Sequence, residues 1–211
     1  MRIITISREF GSGGRELGKR LADNLGWDYY DREIISRIAQ DAGLDADYVD
    51  RVLSQNPVDT MPLTFMHSFA IPLAGGMPLT QLLVKEKQVI ERIALKGRDA
   101  VIVGRNADVY LQEYAPLTLF VCASMDARIR RCRERADENE HMSDRELKHS
   151  IRRIDSARAS LRELVGGAKW GDRTSYMLTV NTTDIPVKGL SALVAQWATT
   201  WFEARDAAAG R

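Results

Sequence analysis

Residues 11–17 read GSGGREL; they follow the apolar run Ile3, Ile4, Thr5, Ile6 and lead into a segment where Leu17, Leu21, Ala22 and Leu25 recur at helical spacing. Three glycines between a β-branched strand and an amphipathic helix are the arrangement that cradles a phosphate. Free N–H groups and the helix dipole attract an anion, and the missing side chains let it approach. A complete phosphate loop is written G-x-x-x-x-G-K-[ST], with the lysine on the outer phosphates and the hydroxyl on magnesium. Here Arg8 stands in place of the first glycine and Gly14 in place of the lysine. The span is therefore either a phosphate loop served by another cation or a tight strand-to-helix turn.

Outward from this loop, strand and helix patterns alternate. WDYY at 27–30 is a short second strand, AVIVG at 100–104 and LTLFVCA at 117–123 are near-continuous apolar runs suited to buried parallel strands, and YMLTVN at 176–181 is a fifth. Helical patterns occupy most of 31–98 and 126–165, and a last helix carries Leu190, Leu193, Val194, Trp197 and Trp201. Gly26 is a natural stop for the first helix. Between residues 56 and 80, Pro57, Pro62, Pro72, Gly75, Gly76 and Pro78 preclude a regular helix, and so long an irregular stretch points to a functional or mobile loop. The alternation predicts an α/β domain with a mainly parallel sheet covered on both faces.

A chain of 211 residues, 45% apolar and 28% charged, buries one substantial core, so a single domain over 1–211 with insertions is expected. A net charge of +1 gives no overall field for a nucleic-acid polymer or an anionic membrane. No run approaches the ~18 apolar residues of a spanning helix, and the first residues enter a strand pattern without a leader, so a cytoplasmic protein is expected. Cys122 and Cys132 lack metal-ligand spacing and read as reduced, buried thiols.

Read on from Gly13, the chain resembles the bacterial cytidylate kinases. DREIISR keeps Asp31 and Arg37 at that family's spacing; VIVGRNADVYLQEYAPLTLFVCASMDARIRRCRER is similar to its strand ending in Gly-Arg-Asp, the next strand and an Arg-rich helix; IRRIDSARAS matches its D-x-x-R helix at Asp155 and Arg158. EFGSGGRE, YYD, VGR, WGD and NT resemble the cytidylate kinase-like branch most closely. The resemblance implies a P-loop NTPase kinase fold with a five-stranded parallel sheet, an acceptor-binding insertion at about 31–98 and a helical lid at about 126–172. It implies transfer of the γ-phosphate of ATP, with Mg2+, to CMP or dCMP. Arg37 and Arg105 would then hold the acceptor phosphate, with Asp31 nearby and Asp155 and Arg158 at the base and sugar. Gly11, Ser12, Gly13 and Gly14 would cradle the ATP phosphates.

With the lysine missing, Arg15 is the first candidate for the cation on the outer phosphates and Arg8 the second. Glu16 stands where related kinases carry the magnesium-binding threonine, which makes it the candidate metal ligand. Arg128, Arg131 and Arg135 share one helical face and Ile129, Cys132 and Ala136 another, so a cationic lid face with Arg128 and Arg131 as catalytic groups is expected beside the loop. The alternatives are a solvated helix pair for these arginines, a solvated Arg37, and an Asp155–Arg158 pair one turn apart. His67, His141 and His149 read as solvated, Trp170 as a turn anchor or a base clamp, and Trp197 and Trp201 as packing. Gly-Arg-Asn at 104–106 lacks the family's aspartate, and Asp108 lies two residues beyond. Two rival functions remain: a kinase of another small molecule, and a nucleotide-binding protein without catalysis.

Overall fold

The five apolar runs form five strands: β1 (Ile3–Arg8), β2 (Asp28–Tyr30), β3 (Ala100–Val103), β4 (Leu117–Cys122) and β5 (Leu178–Asn181). In a computed structural model, which describes residues 1–31, 33–54, 77–135 and 142–210, they make one all-parallel sheet in the order β2-β3-β1-β4-β5. Parallel strands need crossovers, and helices supply them. These are α1 (Gly14–Leu25), α2 (Glu33–Ala42), α3 (Ala46–Ser54), α4 (Leu79–Leu95), the single turn α5 (Ala107–Tyr110), α6 (Met125–Arg133), α7 (Asp144–Leu164) and α8 (Val187–Ala209).

Alternation along β1 splits the core in two. Ile4 and Ile6, with Val101, Val103, Leu119 and Val121, pack against Leu17 and Leu21 of α1 and Val194, Ala198 and Phe202 of α8. On the other face Ile3 and Ile102 meet Ile34 and Ile38 of α2, Leu53 of α3 and Leu82 and Ile90 of α4. β1 lies between two partners, in register with β3 (Ile3↔Ala100) and β4 (Ile4↔Leu117), so its carboxyl end at Arg8 opens centrally on the sheet edge where such folds hold ligands.

Three expectations change. The helix expected to begin after the Pro/Gly stretch starts inside it, at Leu79 behind Pro78, while the rest of that stretch up to residue 76, with His67, lies outside the described residues. Cys122 and Cys132 are free thiols but half-buried rather than buried. On α6 the packed face carries Ala127 and Arg128, whereas Ile129 and Cys132 remain partly exposed. The middle of the expected lid, 136–141 with His141, also lies outside the described residues.

Phe202 holds α8 to the sheet. It is fully buried, its ring 5.5 Å from that of Trp27 and 4.9 Å from that of Trp201. Phe202→Ala is expected to cost about 3–5 kcal/mol, read as a lower urea midpoint with an unchanged slope.

Candidate functional site

β1 ends at Arg8 and α1 begins at Gly14, and the turn between them has the form a phosphate needs. Gly13 sits at φ 82°, a left-handed conformation that favours glycine, and starts α1 with its first-turn N–H groups directed out of the helix end. Three ties hold the turn. Thr182, just past β5, donates its hydroxyl to the Ser12 carbonyl at 2.6 Å, and Arg131 of α6 donates to Thr182 Oγ1 at 3.0 Å. Arg128 donates from Nε to the Phe10 carbonyl at 2.7 Å and also pairs with Asp155. Asp155 in turn accepts from the Phe10 N–H at 2.8 Å.

Arg128 and Arg131, expected to face substrate phosphates, are thus already engaged with the loop from behind; the Arg128 side chain is only 5% exposed. Their inward direction follows the expected face, but carbonyls and carboxylates of the protein satisfy them. Asp155 likewise braces the loop, with Arg158 Nη1 3.5 Å away. Arg135 reaches Glu16 Oε2 at 2.6 Å, and Arg20 holds the other Glu16 oxygen at 2.9 Å. Both Glu16 oxygens are engaged by arginines, and the described residues contain no cluster of three metal-ligating side chains. The glycine turn and the first-turn N–H groups of α1 fit the phosphates of a nucleotide.

In front of the loop lies a pocket lined by Ser7, Arg8, Leu53, Glu86, Gly104, Arg105, Asn106, Ile154, Arg158, Leu161 and Trp170. Three guanidiniums face it. Arg105 follows β3 in a run of three positive φ angles, Gly104 at 74°, Arg105 at 60° and Asn106 at 52°. Two non-glycine residues there carry real backbone strain, of the sort that collects at functional sites. Arg105 Nη2 meets Asp50 Oδ1 at 2.7 Å. Arg158 donates to the Arg8 carbonyl at 2.8 Å and lies over the Phe10 ring. Burial lowers the Arg158 pKa to about 10, Asp155 opposes the change, and Arg105, Arg128 and Arg15 add to it. Arg8 is lowered well below the usual range by burial, then by repulsion from Arg158 and Arg105, against the pull of Asp31.

Asp31, expected near the acceptor, is buried beside two of the cations: Arg15 Nε lies 2.5 Å from it and Arg8 Nη2 3.9 Å. Arg15 is half-exposed, on the outer side of the first turn of α1. Arg37 does not enter the pocket. Its side chain is 60% exposed, bonded to Gln40 and 3.9 Å from Asp41. His149 is exposed on α7, and Asp108 is buried in a pair with Arg162, away from the position of the missing aspartate. Trp170 stands at the pocket edge-on to Phe120, their rings 5.2 Å apart.

The sequence reading missed Glu86. It lines the pocket at 2% exposure, accepts a hydrogen bond from the Tyr110 hydroxyl at 3.2 Å, and burial pushes its pKa up to about 7 against the attraction of Arg105. A signal was present: Glu86 falls among Leu82, Leu83, Val89, Ile90 and Ile93 on the buried face of α4, where a carboxylate has no packing reason to be.

The model of the cytidylate kinase-like family matches residues 3–184. No curated protein matches the chain. Among solved structures, an uncharacterized protein from Eubacterium ventriosum superposes with TM-score 0.69 at 20% identity, covering 94% of this chain and 99% of that one. Shikimate kinase from Bacteroides thetaiotaomicron gives 0.56 at 15%, over 96% and 98% of the two chains. Shikimate kinase from Acinetobacter baumannii, in complex with shikimate, gives 0.53 at 12%, over 95% and 94%. At these identities the likeness is one of fold, the α/β fold of the P-loop kinases.

Glu86 sets a pH dependence. Between its ordinary value of 4.5 and its folded value of about 7 the native protein keeps a proton that the unfolded chain releases, so stability falls as pH rises through that window. Glu86→Gln removes the penalty. The variant is expected to gain stability over the parent progressively from pH 4.5 to 7, reaching about 3 kcal/mol and levelling above, by urea unfolding at a series of pH values.

Proposed function

The chain belongs to the cytidylate kinase-like family, and on that premise we propose that it is an ATP-dependent kinase of a nucleoside monophosphate, with CMP or dCMP as acceptor. The observation that carries this reading is the convergence of Arg8, Arg105 and Arg158 on one pocket beside the glycine loop. Burial and the charges of Arg158 and Arg105 lower the Arg8 pKa, guanidiniums so crowded call for an anion between them, and a phosphate monoester is an anion with oxygens for several such donors.

The chemistry suits that set. An oxygen of the acceptor phosphate bonds to the γ-phosphorus of ATP while the bond from that phosphorus to the β–γ bridging oxygen breaks. The products are ADP and a nucleoside diphosphate. A phosphate nucleophile is already ionised and needs no general base; what it needs is position and neutralised charge. Phosphate loop and guanidiniums supply both. Magnesium, which favours substrate phosphates over an all-protein cage, would arrive with the triphosphate. Trp170, Leu53 and Leu161 give the pocket an apolar wall for a base, and Glu86 a polar group beside it.

Glu86 also favours a second reading. A carboxyl with a pKa of about 7 has the properties of a general base, and a hydroxyl acceptor such as a sugar or a carbocyclic acid would use one. ADP release with ATP, magnesium and a panel of monophosphates, sugars and shikimate separates the two: turnover confined to cytidine monophosphates supports the first, turnover confined to hydroxyl acceptors the second, and none at all leaves a binding protein. For the first reading, Arg105→Ala is expected to raise the KM for the monophosphate about ten- to a hundredfold with the KM for ATP nearly unchanged. Equal losses for both substrates would point to damaged folding.

A further inference from the structure

Gly14 and Gly104 are small for one shared reason. A Cβ placed on Gly14 would lie 2.6 Å from Arg8 Cβ and 3.0 Å from its Cγ; a Cβ on Gly104 would overlap the Arg8 guanidinium. The stem of Arg8 therefore runs where a side chain at position 14 would begin, and its head lies over Gly104 at the end of β3. The Arg8 side chain is 14% exposed, and among the described residues its guanidinium makes no hydrogen bond; the nearest carboxylate is Asp31 at 3.9 Å. Its donors are held in the pocket, between the loop that would take a triphosphate and the arginines that would take an acceptor.

We propose that Arg8 is the cation of this phosphate loop: the glycine and the lysine of the loop pattern have exchanged places, so that the charge on the outer phosphates comes from the end of β1 across the loop rather than from the first residue of α1. The exchange is reciprocal by sterics. With an arginine at position 8 no side chain fits at 14, and with a lysine at 14 none fits at 8. Arg15 is the poorer candidate, because it is paired with Asp31 and half-exposed beside α1. Arg128 is engaged by the Phe10 carbonyl and Arg131 by Thr182. This inference rests on the kinase reading and assigns within it the residue that contacts the phosphoryl group being transferred.

The test is a swap. Arg8→Gln keeps the stem and removes the charge; it is expected to lower kcat about 10²-fold or more, as loss of one preorganised transition-state donor does, and to abolish the preference for binding ATP over ADP. Gly14→Lys alone, with Arg8 still in the way, is expected to recover nothing and to bind nucleotide worse. The double variant Arg8→Gly, Gly14→Lys is expected to regain at least tenfold of the lost turnover and the ATP preference. Arg15→Ala is expected to lose less than Arg8→Gln. If Arg8→Gln keeps its turnover and its ATP preference, or loses only acceptor affinity, the assignment is wrong, whether or not the double variant folds. Should the parent protein transfer phosphate to no acceptor, the kinase reading fails, while its ATP-over-ADP preference and the effect of Arg8→Gln on that preference still decide the role of Arg8.

Discussion

A guanidinium cannot lose its proton at any ordinary pH, so a buried arginine keeps a charge that something must answer. Arg8 is such a group, lowered by burial and by Arg158 and Arg105, with Asp31 as its main counterweight. Around it the sheet ends, the glycine loop and the pocket are arranged. β1 delivers it, Gly14 and Gly104 make room for it, and Arg158 ties down its backbone through the Arg8 carbonyl. A site built about an under-neutralised cation is one that an anion completes.

The arginines of this region divide into two kinds, and burial alone does not separate them. Arg128 is almost wholly buried yet fully employed, on Phe10, Asp155 and Glu9. Arg131 is spent on Thr182. These contacts give the loop its ligand-ready shape in advance, and preorganised donors are worth more to a transition state than donors that must first be gathered. Arg8 and, apart from Asp50, Arg105 keep donors in hand. Counting arginines on a helical wheel cannot distinguish the braces from the free groups, because the difference lies in what each fork meets across the fold.

That difference marks how far the sequence could be read. All five strands and the turn into α1 follow from local pattern, since apolar runs and a glycine cluster carry their own signals. Arg105 was placed correctly at a strand end because strand ends can be counted. Adjacency in the chain favours Arg15 over Arg8, but of the two only Arg8 lines the pocket. A helix rotates by about 100° per residue, so the neighbour of Gly14 is turned aside to Asp31, while residue 8, six positions back, lies directly across the loop. Arg37 keeps the family's spacing from Asp31, yet it sits on the solvent side of α2. Glu86 was hidden among apolar positions, where its meaning appears only once β3 and α5 bring Arg105 and Tyr110 to it.

Why an arginine at this place and not a lysine follows from the same electrostatics. An ammonium in the position of the Arg8 head would be desolvated and would face Arg105, Arg158 and Arg15, with Asp31 as the opposing charge. Burial and like charge both favour its neutral form, and a lysine starts from a pKa of only about 10.4. A guanidinium starts higher, spreads its charge over a plane and loses less on desolvation. It also presents five N–H groups in a fixed fork, enough to serve oxygens on two phosphates at once. In a loop whose cation stands alone, lysine suffices; crowded among other cations, as Arg8 is, arginine is the side chain that keeps its charge.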